Sequence, residues 1–215
     1  MRDKKFRKNI IWFWVIISLP ALLVLTLFIL ISANRLGPIP SFGELENPDN
    51  SLAAEVYSED DVLLGKFYIQ NRTWTEYEEI SPYVIDALIA TEDIRFYRHS
   101  GIDFRGLVRV LVKTIILGQN TGGGSTITQQ LAKNLFLPRD LSHDPAIVRA
   151  SKLAVAKFKE WQTAVKLEKS YTKEEIITMY LNVFDFIYNA VGINSAARIY
   201  FNTTPDSLNI EQSAM

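Results

Sequence analysis

Two adjacent carboxylates at the end of an apolar run are the first residues whose types suggest chemistry. Glu92 and Asp93 lie in the stretch A-T-E-D-I-R-F-Y-R-H-S-G, which also contains Phe96, His99 and Gly101. A neighbouring like charge and apolar surroundings favour the protonated form of a carboxyl group, and such a group can serve as a general acid or base. On these residues alone, an ordinary surface carboxylate is the favoured interpretation of Glu92.

A glycine-rich segment followed by polar residues is the second candidate. The stretch G-G-G-S-T-I-T-Q-Q-L-A-K-N covers residues 122–134. Glycines let backbone N–H groups approach an anion, and a helix that begins after them favours negative charge at its N-terminus. The stretch is not a P-loop, because the G-K-[ST] step is missing. A flexible loop before a polar helix face fits the same residues.

The third candidate is K-F-K-E at residues 157–160. Lys157 and Glu160 are three residues apart, which places them on one face of the helix predicted there. A solvated charged face explains this stretch by itself, so it points to chemistry only in combination with the other two.

The N-terminal residues predict the element that holds these candidates at a membrane. Residues 1–9 carry five Lys or Arg, and residues 10–32 carry no charge. At ~1.5 Å per residue, such a helix crosses a hydrocarbon core of about 30 Å, and the basic residues keep the N-terminus in the cytoplasm. The apolar core of a cleaved signal peptide has only about 7–15 residues, so an uncleaved anchor is favoured.

The remaining chain predicts a linker over residues 33–51, rich in Pro, Gly and Asn, and a mainly α domain over residues 52–215. Alternating residues from Ala53 to Ile69 suggest one small β hairpin. Helix starts are predicted at Ser81-Pro82, Asp103, Ser125 or Thr126, Ala146, Thr172 and Gly192. The last residues resemble the first turns of a helix, which predicts that the domain is truncated at its C-terminal end.

Composition removes several classes of function. The net charge is −1, so no overall field attracts nucleic acid. The chain has no cysteine and two histidines, which excludes disulfides and a Cys/His metal cluster.

Taken in order, the candidate stretches resemble a known family. They read E-D-x-x-F-x-x-H-x-G, G-x-S-T-I-T-Q-Q with L-A-K-N, K-x-K-E, and K-x-x-I-I-x-x-Y-L-N at residues 173–182, followed by G-I-N-S-A-A-R-I-Y-F. They look like the successive motifs of the family 51 glycosyltransferases, the peptidoglycan glycosyltransferase domain of class A penicillin-binding proteins and monofunctional transglycosylases. The resemblance runs from about residue 56 to the end of the sequence.

The resemblance implies a lysozyme-like, mainly α glycosyltransferase domain with a small membrane-facing jaw, after one transmembrane helix. It implies polymerisation of lipid II into β-1,4 glycan strands, with inversion and release of undecaprenyl pyrophosphate, as the N-terminal part of a bifunctional penicillin-binding protein. The implied location is the bacterial cytoplasmic (inner) membrane, single-pass, with the catalytic domain on the outer or periplasmic side. The implied partners are lipid II, the growing glycan chain, the bilayer and other cell-wall synthesis proteins, with no nucleic acid.

The resemblance also implies residue roles. Glu92 matches the general base, and Glu160 matches a second essential carboxylate near the donor pyrophosphate, with a divalent cation (Mg or Mn) as a possible cofactor there. The implied substrate-binding residues are Ser125, Thr126, Gln129, Gln130, Lys133, Asn134, Lys157 and Lys159. The implied supports of the site are Asp93, Phe96, His99, Gly101 and Asn182.

Two positions depart from the family pattern. Ala156 stands where the family usually has Arg, which removes one expected pyrophosphate contact or transfers it to Lys152 or Lys159. The residues F-I-Y-N at 186–189 replace a glycine-containing turn. Three alternatives stay open: a lytic transglycosylase on the same framework, an inactive membrane-anchored cell-wall scaffold, and a membrane-anchored binding module.

Overall fold

A computed structural model describes residues 2–46, 54–57, 63–67, 74–116, 118, 123–137, 145–188 and 190–215. The described chain is mostly helical, as the sequence predicts. Its α-helices are α1 (Arg2–Ser32), α2 (Phe42–Glu46), α3 (Pro82–Glu92), α4 (Phe104–Leu111), α5 (Ile127–Phe136), α6 (Ala146–Ser170), α7 (Lys173–Val183), α8 (Ile193–Phe201) and α9 (Ile210–Ser213). Short 3-10 turns occupy Tyr77–Glu79, Phe96–Arg98 and Pro205–Ser207, and a π-helical turn follows α4 at Val112–Ile116.

The chain divides into two compact units, and the division falls within α6. The first unit contains Met1–Ile39 and Leu141–Lys159, and the second contains Pro40–Asp140 and Glu160–Met215. In the first unit, Phe6–Ser32 forms 27 residues of helix that are long and apolar enough to cross a membrane. Helix α1 begins at Arg2, so the predicted basic tail 1–9 continues the same helix.

The core of the second unit is built around α7, whose residues from Ile176 to Val183 are all buried. Helix α5 packs against this helix and contributes Ile127 and Leu131, which have no solvent exposure. Each fully buried aliphatic side chain of this kind contributes about 1.5–3 kcal/mol. The pairing of α5 with α7 therefore fixes the framework on which the polar residues of α5 are mounted.

The predicted helix starts are confirmed, and three of them carry a side-chain capping bond, at Asp103, Thr126 and Thr172. The hydroxyl oxygen of Thr126 accepts a hydrogen bond from the backbone N–H of Gln129 at 3.2 Å, and Thr172 forms a capping box with Glu175. Pro82 is the first residue of α3, where its missing N–H costs no helical hydrogen bond. These short-range signals were readable because both partners lie within one turn of sequence.

The region predicted as a linker is more structured than its composition suggests. Residues 33–51 contain α2, and its Leu45 is completely buried in the core of the second unit. The hydroxyl of Tyr171 donates a hydrogen bond to the carbonyl oxygen of Leu45. The burial of Leu45 therefore docks α2 on the core, although the Pro and Gly content of residues 33–51 predicts an irregular linker.

Two short strands, Ala54–Tyr57 and Leu63–Phe67, pair antiparallel with an irregularity between Val56 and Tyr57. The turn that would join them lies outside the described residues, so the complete hairpin stays a prediction.

Candidate active site

The end of α3 separates the two adjacent carboxylates. Glu92 is the last residue of the helix and its side chain is exposed, whereas Asp93 is the C-cap residue and is only 6% exposed. The backbone N–H of Asp93 still donates to the carbonyl of Ile89 at 3.1 Å. The chain therefore leaves the helix between two carboxylates, with one in solvent and the other inside the fold.

Glu92 is held by a side chain from α5. The amide nitrogen Nε2 of Gln130 donates to Oε2 of Glu92 at 2.6 Å, and the Gln130 oxygen accepts a hydrogen bond from the Tyr180 hydroxyl at 3.1 Å. Tyr180 lies on α7 and is 2% exposed. Burial raises the pKa of Tyr180, and the charge of Glu92 raises it further, so the hydroxyl keeps its proton at neutral pH.

Asp93 forms the centre of a buried turn. Its two carboxylate oxygens lie 3.0 and 2.9 Å from Nε2 of His99, and one of them accepts the backbone N–H of Ile127 at 3.3 Å. The N–H of Ile127 belongs to the first turn of α5, where helical N–H groups have no partner within the helix. Asp93 therefore joins the end of α3 to the start of α5.

Gly101 makes a close approach that no other residue could make without strain. Its φ is +83°, and a Cβ atom there would lie 2.9 Å from both the carbonyl carbon and the oxygen of Ala164. Its own carbonyl accepts hydrogen bonds from the hydroxyl of Thr126 at 2.8 Å and the side-chain amide of Gln129 at 3.0 Å. The glycine lets this turn lie directly against the backbone of α6.

Thr126 and Gln129, which the resemblance implies bind substrate, are both buried in the fold. Thr126 is 3% exposed and Gln129 is 1% exposed, and both donate to the carbonyl of Gly101. These donor groups join parts of the fold, and the predicted binding role of the two residues stays a prediction. The neighbouring predicted binding residues differ in burial: Ser125 and Gln130 are half-buried, and Lys133 and Asn134 are exposed.

Lys173 is a supporting residue that the sequence reasoning missed. Its ammonium group donates to the carbonyl of His99 and to Glu168, each at 2.8 Å, and lies 4.1 Å from the ring centroid of Phe96. Thr128 donates to the same carboxylate of Glu168 at 2.6 Å. Lys173 opens the fourth motif, which was the available signal, but its contact with His99 joins residues 74 positions apart.

Asn182 connects α7 to the segment before α3. Its side-chain oxygen accepts the N–H of Thr75, and its amide donates to the carbonyls of Thr75 and Thr178, all at 2.8 Å. Residues 75 and 182 are 107 positions apart. This bidentate contact gives Asn182 a structural position, and its predicted role as a support of the site stays a prediction.

A partly exposed ion pair lies beside the buried turn. Nε of Arg95 donates to Asp103 at 3.0 Å, and Asp103 also caps α4 by accepting the N–H of Gly106 at 3.0 Å. Burial by itself would raise the pKa of Asp103, but the hydrogen bonds from Arg95 and Gly106 outweigh it and hold the pKa below its usual value.

The third motif is divided between the two units. Glu160 is 1% exposed and belongs to the second unit, while Lys157 and Lys159 are half-buried and belong to the first. The approach of these lysines to Glu92 therefore stays a prediction. Across the residues that the structure describes, no three His, Asp or Glu side chains are grouped closely enough to hold a metal ion.

Comparison with known proteins supplies the context for this geometry. A family profile described as Transglycosylase matches residues 60–215. The chain is 34% identical over 177 residues to penicillin-binding protein 1A of Escherichia coli (strain K12), covering 82% of this chain and 20% of that protein. It is 39% identical over 152 residues to penicillin-binding protein 1F of Bacillus subtilis (strain 168), covering 71% of this chain and 20% of that protein. A penicillin-binding protein 1A of Neisseria gonorrhoeae is 34% identical, covering 82% of this chain and 21% of that protein. The chain thus spans about a fifth of the length of these relatives.

Proposed function

The chain belongs to the transglycosylase family, and we propose that its second unit is the core of a peptidoglycan glycosyltransferase that polymerises lipid II into β-1,4 glycan strands. The observation that carries this proposal is the placement of Glu92. It is an exposed carboxylate at the end of a helix, and one of its oxygens is held by Gln130.

Glu92 acts as the general base in this proposal. The 4-hydroxyl group of the acceptor lipid II gives its proton to Glu92, and the hydroxyl oxygen attacks the anomeric carbon of the growing chain. The bond from that carbon to the pyrophosphate oxygen breaks, and undecaprenyl pyrophosphate leaves with the electron pair. Attack from the face opposite the leaving group inverts the anomeric centre. Because Gln130 occupies Oε2, the other carboxylate oxygen of Glu92 is the one that would receive the proton.

The leaving group needs cations where its negative charge develops. Lys133 and Asn134 are the exposed polar residues near the end of α5, and they extend from the same helix that supplies Gln130. The resemblance also assigns Lys157, Lys159 and Glu160 of the third motif to binding of the donor pyrophosphate. Ala156 cannot supply the guanidinium that the family usually has at that position, so the charge would come from lysines alone.

A divalent cation (Mg or Mn) is a possible cofactor in this proposal. Mg²⁺ is typically bound through one or two carboxylates together with substrate phosphates. Glu160 would supply the protein ligand, and the cation would add positive charge at the leaving group.

The membrane location follows from the substrate and from α1. A lipid-linked substrate requires a site close to a bilayer, and Phe6–Ser32 is a candidate membrane span. The basic residues before it favour a cytoplasmic N-terminus, which would put the catalytic unit outside the bacterial cytoplasmic membrane. The relatives support a place for this chain as the N-terminal part of a bifunctional penicillin-binding protein, whose other partners would be cell-wall synthesis proteins.

The decisive experiment is lipid II polymerisation by the full-length protein in detergent or liposomes. Glu92→Gln is expected to lower the rate of glycan formation by about 10³-fold, the order of effect typical of a lost general base. Glu174→Gln is the matched control, because Glu174 is an exposed carboxylate on α7. Parallel reactions with EDTA, Mg²⁺ or Mn²⁺ measure the cation dependence.

Glycan formation by Glu92→Gln at the wild-type rate would refute the assignment of the base. Cleavage of preformed glycan strands without polymerisation would instead identify a lytic transglycosylase. Failure of the wild-type protein in both assays would support the inactive scaffold.

A further inference from the structure

Three side chains from three helices form one continuous chain of hydrogen bonds that ends at the proposed base. The Tyr180 hydroxyl donates to Oε1 of Gln130 at 3.1 Å, and Nε2 of Gln130 donates to Glu92 at 2.6 Å. We propose that Tyr180 is a positioning residue for Glu92 and acts through the amide of Gln130. The inference rests on the proposed role of Glu92. It gives a role to Tyr180, a residue of the fourth motif to which the family resemblance assigned none.

The direction of each hydrogen bond follows from the chemistry of its two ends. An ionised carboxylate can only accept hydrogen bonds, so Glu92 requires the NH₂ end of Gln130. The opposite end of the amide is then an acceptor and needs a donor. Tyr180 supplies that donor, and because burial raises the pKa of Tyr180, the hydroxyl does not lose its proton in the working range of the enzyme.

The two partners together hold the amide of Gln130 in one orientation and one place. If Gln130 rotated by half a turn, its oxygen would face the carboxylate of Glu92, and two acceptors would repel each other. Glu92 therefore sets the orientation of the amide, and Tyr180 fixes the position of the amide by donating to its oxygen end. Gln130 gains from a fixed partner at that end because its own side chain is only half-buried.

Tyr180 can fix the position of the amide because it is itself fixed in the core. Its ring stacks on Phe184, with centroids 5.1 Å apart and planes 28° apart, and the residue is 2% exposed. Its helix is tied by Asn182 to the segment around Thr75. Glu92, in contrast, is an exposed side chain with many rotamers. The hydrogen bonds from Tyr180 through Gln130 thus restrict the position of an exposed carboxylate. An error of about 1 Å in the placement of a catalytic group can cost about 10²-fold in rate.

The first test is Tyr180→Phe in the full-length protein. The substitution removes the hydroxyl and keeps the ring that packs on Phe184. We expect kcat for lipid II polymerisation to fall about 10-fold, the equivalent of one lost hydrogen bond in the site, with KM unchanged. Tyr171→Phe is the matched control, because it removes a hydroxyl that donates to the carbonyl of Leu45, a backbone group of α2. Tyr171→Phe is expected to lower thermal stability by about as much as Tyr180→Phe does, and to keep the wild-type kcat.

The second test separates positioning from packing. If Tyr180 acts only through Gln130, then Tyr180→Phe should have no further effect on kcat in a Gln130→Ala background. The inference would be overturned if the double variant lost the product of the two single-variant losses in kcat. It would also be overturned if Tyr180→Phe kept the wild-type kcat or changed KM alone.

The variant Glu92→Gln distinguishes the two levels of the argument. An active Glu92→Gln protein refutes the proposed base, and the inference falls with it. An inactive Glu92→Gln protein combined with a fully active Tyr180→Phe protein refutes the positioning role alone.

Discussion

Two polar clusters meet at the end of α3, and each contains one of the two adjacent carboxylates in an opposite environment. The first, the Glu92 cluster, consists of Glu92, Gln130 and Tyr180 and ends in an exposed carboxylate. The second, the His99 cluster, consists of Asp93, His99, Glu168 and Lys173, and its charged groups pair with one another.

The difference begins with one step of the backbone. Glu92 completes the last turn of α3 and points into solvent, while Asp93 leaves the helix and turns inward to His99. A buried carboxylate must be paired, whereas an exposed one can exchange its proton with a substrate. Adjacent acidic residues therefore need not share a function, since burial divides these two into an exposed carboxylate that is available to a substrate and a buried carboxylate that is paired within the fold.

The largest expected effect on stability separates these two neighbours directly. Asp93→Ala leaves His99 Nε2 and the N–H of Ile127 without their acceptor, and we expect it to lower the free energy of unfolding by about 3 kcal/mol. Glu92→Ala is an exposed change and should stay within about 0.5 kcal/mol of wild type. Urea unfolding followed by circular dichroism measures both. Equal losses for the two variants would show that burial does not separate them.

A second substitution tests the turn that holds the His99 cluster. Gly101→Ala places a Cβ atom against the backbone of Ala164 at a positive φ, and we expect a loss of about 2 kcal/mol. Gly43→Ala is the control, because no atom lies within 4 Å of its Cβ position, and alanine there should be neutral or stabilising. The same unfolding measurement applies. A neutral Gly101→Ala would mean that α6 can move away from the turn at no cost.

The smallest expected effect concerns Arg95 and Asp103. These side chains are partly exposed, so their burial is intermediate between that of Glu92 and that of Asp93. Because the pKa of Asp103 is held below its usual value in the folded state, the pair adds stability above the unfolded pKa of about 3.9. That stability is lost as the pH falls through the lower, folded-state value. Asp103→Asn keeps a good helix cap and removes the charge.

The stability difference between wild type and Asp103→Asn should therefore be smaller than the effect of Gly101→Ala at pH 6 and should shrink further at pH 3. Urea unfolding at the two pH values gives this comparison. A difference that grows at pH 3 would contradict the assigned direction of the pKa shift.

Local signals in the sequence predicted the helices well. Ser81-Pro82, Asp103 and the Thr172 capping box each specify a helix start through atoms within one turn of chain. The apolar run after Lys8 likewise predicted a helix long enough to cross a membrane. Residues 33–51 were less predictable, because the burial of Leu45 depends on a core formed by much later residues.

Exposure within the candidate site could not be predicted. Thr126 and Gln129 look like ligand-binding donors in sequence, but the carbonyl of Gly101 uses both of them. Gln129 and Gly101 are 28 residues apart, and no local pattern reports that contact. Lys173 was missed for the same reason, since its partner His99 is 74 residues away.

The sequence by itself determined which residues are candidates for the chemistry, where most helices begin and which family the motifs resemble. These features depend on residue type and short spacing, which a linear chain displays directly. Only the tertiary structure decided that Glu92 is exposed and Asp93 buried, and that Tyr180 reaches Glu92 through Gln130. Those properties arise when α3, α5 and α7 pack together, because burial and hydrogen-bond partners are then set by neighbours in space.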